Sequence, residues 1–150
     1  MRYRCYPAFV PFLPTFTPFL LGLLSTAVAA ATAAPPGLEN LREAFASAVA
    51  AKDRIAVANL SRFPLAVEVY ESAPTLSRQK FLDDRNYFDG WFFSGDPELL
   101  KCLKTEPFAY QADKGAFGSG TWYLDCNGNE YYFGQQAGRW AFFGYQNINE

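Results

Sequence analysis

The spacing of apolar residues changes several times along the chain, and each change marks an element. Residues 18–30, PFLLGLLSTAVAA, form an uncharged apolar run behind a basic start, MRYR. From Leu38 the apolar positions Leu38, Leu41, Phe45, Ala48 and Val49 recur at steps of three and four, the period of one helix face. The pattern closes near Lys52-Asp53. Asp53 is placed to cap a second, shorter helix through Leu60, since a short carboxylate accepts the free N–H groups of a first turn. Phe63-Pro64-Leu65 breaks that helix, and LAVEVY (65–70) alternates and is rich in β-branched residues, as a strand does.

Further along, Ser77 is a second N-cap, opening RQKFLDDRNYF with Phe81, Leu82, Arg85 and Phe88 on one side. DPELLKCL (96–103) carries Asp at the cap and Pro at the first helical position, both favoured there, with Cys102 at its end. After Pro107 the spacing turns to that of strands. PFAYQA predicts one strand, and residues 114–120 a glycine-rich connection. TWYLDC-NG-NEYYFG predicts a hairpin, because Asn-Gly accepts the positive φ angles of a type I′ turn. GRWAFFGYQ adds a third meander strand. Helices first and antiparallel strands last imply an α+β fold, with N-terminal helices packed on a curved C-terminal antiparallel sheet.

With Asn127-Gly128 as the two-residue loop, Leu124 faces Tyr131, Tyr123 faces Tyr132 and Trp122 faces Phe133, and opposed residues share a face. One face carries Trp122, Leu124, Cys126, Tyr131 and Phe133, without charge, and packs on the helices. Continued through Ala137-Gly138, this register adds Trp140 and Phe142 to the core face. It puts Ala141, Phe143 and Tyr145 on the other. The second face then presents an aromatic row, Tyr123, Tyr132 and Phe143, with Tyr145 beside it. An apolar patch rimmed by polar groups suits an interface with a protein partner or a second copy of the chain. The competing reading is that cross-strand aromatic pairs only stabilise the meander. A one-residue slip of the hairpin would exchange the two faces.

Composition adds a destination. The basic start, the apolar run and the small-x-small triplet Ala31-Thr32-Ala33 have the layout of a secretory signal peptide over residues 1–33, with 34–37 a linker and 38–150 a single domain. A membrane anchor is the alternative, but Pro7, Pro11, Pro14 and Pro18 oppose a spanning helix, so no stable anchor is expected after cleavage. The expected location is periplasmic or extracellular. The chain has 15 acidic and 13 basic residues, and Arg2 and Arg4 lie in the leader, so the remainder is net acidic. It has no basic block for nucleic acid. Cys102 and Cys126 read as a disulfide in an exported chain, the alternative being two buried thiols.

There is no histidine, which removes His-based proton transfer, Ser–His or Cys–His nucleophile pairs and most zinc sites. DCNGNEYYFGQQ superficially resembles a calcium loop through Asp125, Asn127 and Asn129. It has Glu130 where a glycine is needed and Gln136 where a bidentate glutamate is needed. Asp83 and Asp84 point about 100° apart on a helix and do not converge on one atom. No cofactor and no metal is expected, and no catalytic set is assembled. Tyr70, Trp91, Tyr110 and Trp122 could line a pocket between helices and sheet for a small apolar ligand, or could be ordinary core.

The order FASAVAAKDRIAVANLSRFPL, SRQKFLDDRNYF, GSGTWYL and GRWAFFGYQNIN resembles small exported bacterial proteins with an NTF2-like (cystatin-like) α+β fold, over roughly residues 38–148. Its best marks are FPL after the second helix and GSGTW. The resemblance implies an open cone with an apolar pocket, and often dimerisation through the sheet. Enzymatic members of the fold use Asp, His and Tyr in that pocket, and this chain offers no His and no Asp at a matching position. The expectation is therefore a non-catalytic exported binding domain that uses its aromatic sheet face. A small-molecule binder or enzyme with an apolar pocket, or an inhibitor or immunity protein against a periplasmic hydrolase, are the alternatives.

Overall fold

Short polar side chains and prolines decide where each helix begins. The computed structural model describes residues 33–68, 75–83, 92–93, 95–112 and 117–148. The first helix, α1 (Pro36–Ala50), has Pro35 at its N-cap and Pro36 at its first position, where the missing N–H costs nothing. It starts two residues inside the stretch expected to be a linker. After Lys52, in the left-handed region at φ 56°, Asp53 accepts the Ala56 N–H on Oδ1 at 2.9 Å and opens α2 (Arg54–Asn59) as expected. Ser77 Oγ accepts the Lys80 N–H at 3.1 Å at the start of α3 (Arg78–Asp83). Asp96 accepts the Glu98 N–H at 3.0 Å, with Pro97 in the first turn of α4 (Pro97–Thr105).

Among the described residues the strands form one six-stranded sheet: β1 (Ser61–Glu68), β2 (Thr75–Leu76), β3 (Ala109–Gln111), β4 (Thr121–Asp125), β5 (Asn129–Gln136) and β6 (Arg139–Asn147). Their order across the sheet is β2-β1-β6-β5-β4-β3. Strand β1 begins four residues before the expected LAVEVY strand. The Leu60 carbonyl already accepts the Phe142 N–H at 2.8 Å, so pairing with β6 starts as soon as α2 ends. The helix has already ended at Asn59, so Phe63 and Pro64 do not break it as expected but lie within the strand. Pro64 has no N–H to contribute, and the β1–β6 register shifts between Ser61 and Ala66. β1 runs parallel to β6 and every other neighbouring pair is antiparallel, so the sheet is mixed rather than purely antiparallel.

The helices cover one face of this sheet, and the fold is α+β. Leu38, Leu41, Phe45, Ala48 and Val49, the stripe read from the sequence, are all buried. Phe45 sits at the centre, with its ring 4.7 Å from Phe142, 5.5 Å from Phe133 and 6.2 Å from Phe92, centroid to centroid. Edge-on and tilted contacts of this kind align ring edges with ring faces, which favours each pair beyond its buried area.

Candidate functional site

The β4–β5 turn is where local sequence most directly builds the site. Asn127 and Gly128 have φ of 57° and 79°, as a type I′ turn requires, and Cys126 and Asn129 exchange backbone hydrogen bonds at 2.9 and 3.3 Å. Asp125 Oδ1 accepts the Gly128 N–H at 2.7 Å, which pins the turn from its own strand. The register follows: Trp122 pairs with Phe133, Tyr123 with Tyr132, Leu124 with Tyr131 and Asp125 with Glu130. The segment resembling a calcium loop is thus a hairpin, and no metal-holding group of His, Cys, Asp or Glu occurs among the described residues.

On β6 the expected alternation holds only to Phe143. The β5–β6 register shifts between Tyr132 and Phe133, so that Phe133 opposes Phe142 while Tyr132 opposes Gly144. Phe143 is the extra residue of this bulge. Beyond it the phase is reversed, and Tyr145 pairs with Tyr131 on the helix-facing side. The placement of Tyr145 beside the aromatic row is therefore corrected. A glycine inside a strand, next to two consecutive phenylalanines, is the sequence signal for such a bulge.

Tyr123, Tyr132 and Phe143 do share the outer face, but the row is not a bare surface. Phe117, from the connection before β4, stacks on Tyr132 with centroids 3.9 Å apart and planes 7° apart. The Arg62 guanidinium lies over the Phe143 ring at 3.8 Å. Tyr132 is 3% exposed and Phe143 5%, and with Ala66, Phe117 and Ala141 they form a second, smaller core. The Tyr132 hydroxyl donates to Glu130 Oε2 at 2.5 Å. Tyr123 is half-buried against this cluster. The expected interface is largely used inside the domain, because Phe117 and Arg62 pack over it.

Of the four residues expected to line an apolar pocket, Tyr70 and Trp91 lie outside the described residues. Tyr110 and Trp122 are cross-strand neighbours with rings 5.1 Å apart. Trp122 is buried against Phe108, whereas Tyr110 is half exposed on the edge strand β3. These two meet as a surface-to-core pair.

A cavity of about 440 Å³ opens elsewhere, at the end of the sheet where the β4–β5 turn meets α4. Cys102 on α4 and Cys126 beside the turn are joined by a disulfide with Cα atoms 5.7 Å apart, and both line this cavity. The bridge brings two acidic segments together: Asp96, Glu98 and Glu106 from the start and end of α4, and Asp125 from β4. Asn127, Asn129 and Asn147 add amides, and among the described residues no lysine or arginine is in the wall.

Two tyrosines from the core-facing side complete the wall. Tyr131 and Tyr145 have ring centroids 5.3 Å apart, and Phe92 packs edge-on against both. Tyr145 donates its hydroxyl to Asn129 Oδ1 at 2.5 Å. Tyr131 is 2% exposed, yet its hydroxyl makes no hydrogen bond among the described residues. Burial pushes the Tyr131 phenol above its ordinary range, and Tyr145 and Asp96 act in the same direction, so it stays protonated. Sequence reading missed this site. Its available signal was the position of acids next to or near each bridged cysteine, Asp125-Cys126 and Asp96 through Cys102, which a disulfide must bring together.

No family model matches the chain, and no curated protein matches it. Among solved structures, a Xanthomonas campestris protein assigned as a calcium/calmodulin dependent protein kinase II association domain is similar, at 14% identity and a TM-score of 0.38. The match covers 79% of this chain and 94% of that one. The α+β assignment rests on the chain's own helices and sheet.

Proposed function

We propose that the chain is an exported, NTF2-like α+β domain that binds a small molecule without transforming it, and that its site is the cavity beside the Cys102–Cys126 bridge. The observation that carries this reading is a cavity of about 440 Å³ onto which carboxylates, amides and two tyrosines converge. That volume is within the range of small-molecule sites, roughly 300–1,000 Å³. The site differs from the expected apolar pocket in being polar and in lying at the turn end of the sheet. The aromatic row supports a protein interface less well, since Phe117 and Arg62 already cover Tyr132 and Phe143.

An absence of chemistry fits a chain with no histidine. The bridge and the leader-like start fit an oxidising compartment outside the cytoplasm. A thermal-shift screen of the disulfide-intact protein against a mixed library of small polar and apolar compounds tests the reading. Ligands that raise the melting temperature should lose their effect when Asn129 is replaced by Leu, which fills the wall. Hits indifferent to Asn129→Leu, or a blank screen, count against the cavity. Light scattering of the wild type beside Tyr123→Ala, the half-buried member of the row, tests the interface reading: a dimer that the substitution splits would restore it.

A further inference from the structure

Charge, not shape alone, selects the occupant of this cavity. Asp96, Glu98, Glu106 and Asp125 line it, and among the described residues no basic side chain does, so the space is unfavourable to an anion. A bare divalent ion is a poor fit, because the described carboxylates do not gather into a group able to hold a metal. The cavity is also far larger than one ion needs. Independently of the acids, Tyr131 presents a hydroxyl on a residue 2% exposed that no protein group satisfies among the described residues. The hydroxyl opens onto the cavity with no protein partner among those residues, so it is available to a ligand donor. Its ring and that of Tyr145, 5.3 Å away, line the same wall.

We infer that the cavity takes a small organic cation, an ammonium group on a compact apolar body, with the Tyr131 hydroxyl accepting a hydrogen bond from the ammonium and the surrounding carboxylates balancing its charge. This rests on the cavity being the binding site. The Tyr131 phenol, protonated at neutral pH, keeps one lone pair for the ammonium and adds no charge of its own. Glu98, exposed at the start of α4, is a counter-charge that can be removed without disturbing the core.

The test is calorimetric titration of the full, disulfide-intact chain with three probes of one shape: cyclohexylammonium, cyclohexanol and cyclohexanecarboxylate, each to millimolar concentration near neutral pH. The ammonium should bind at least about tenfold more tightly than the other two, one such step being the worth of a single good polar contact. Tyr131→Phe, which removes only an oxygen, should weaken it by about tenfold while leaving the melting temperature level or higher. Glu98→Gln should weaken it less, and more so in low salt than in high. Ammonium binding that Tyr131→Phe leaves unchanged overturns the inference. So does tighter binding of the alcohol or the carboxylate; if that binding is lost in Asn129→Leu, the cavity reading survives and only the ligand class falls. If none of the three binds, the inference fails, and a blank library screen beside it removes the cavity reading too.

Discussion

At the scale of single residues, Gly144 shows how one missing Cβ shapes the outer face of the sheet. A Cβ there would lie 2.2 Å from the Ala66 carbonyl oxygen and 2.4 Å from Phe117 Cε1. The first of these is backbone and has nowhere to go. Gly144→Ala should therefore lower stability by roughly 1–3 kcal/mol, read as a fall in the urea midpoint at unchanged slope. Tyr131 has a different signature, in pH. Its folded pKa is raised, so its contribution to stability is fully present below the unfolded value, about 10, and is lost as pH rises through the folded value. Wild-type stability should begin to fall near pH 10, and Tyr131→Phe should fall less steeply across the same alkaline range. Equal slopes in the two proteins would mean that the phenol ionises as freely folded as unfolded. Neither residue's role was readable from the sequence alone. Burial of Tyr131 was, since it faced Leu124 in the expected register, but the empty space at its hydroxyl depends on α4 docking from elsewhere in the chain.

At the scale of elements, what was legible is what local chemistry dictates. Asp53, Ser77 and Asp96 cap the helices they were expected to cap, and Asn127-Gly128 sets the β4–β5 register residue by residue. What was not legible depends on partners distant in sequence. The start of β1 answers to β6 and not to its own propensity. The β6 bulge moves Tyr145 to the other face and keeps Phe143 on the outer one. The connection before β4 was read as a glycine-rich link, yet Phe117 in it closes the outer cluster. Were the row a free interface, Tyr132→Ala would leave folding intact and weaken association. With Tyr132 3% exposed beneath Phe117, it should instead cost about 3 kcal/mol of stability. Phe117→Ala should cost a comparable amount. Denaturant unfolding of the two variants, together with the double mutant, checks this: the losses should be non-additive, because the two rings share one stack.

At the scale of the whole molecule, the Cys102–Cys126 bridge ties α4 to the β4–β5 turn across a sequence separation of 24 residues. Closing a loop of that length removes unfolded-state entropy worth about 3 kcal/mol in the chain-entropy model. Replacing both cysteines by serine should lower stability by about that amount. Because the bridge holds the two walls of the cavity together, ligand binding should weaken in the same variant even well below its melting temperature. Calorimetry on the folded double mutant separates the two effects. The placing of β6 has a consequence in time as well as in space. It lies between β1 and β5, pairing along both edges, and it brings Phe142 into the centre of the core. A nascent chain that has emerged only as far as Gly138 holds two sheet fragments, β1–β2 and β3–β5, with no strand pairing between them among the described residues. Closure of the sheet waits on β6, so the six strands join only after nearly all of the described chain has been made.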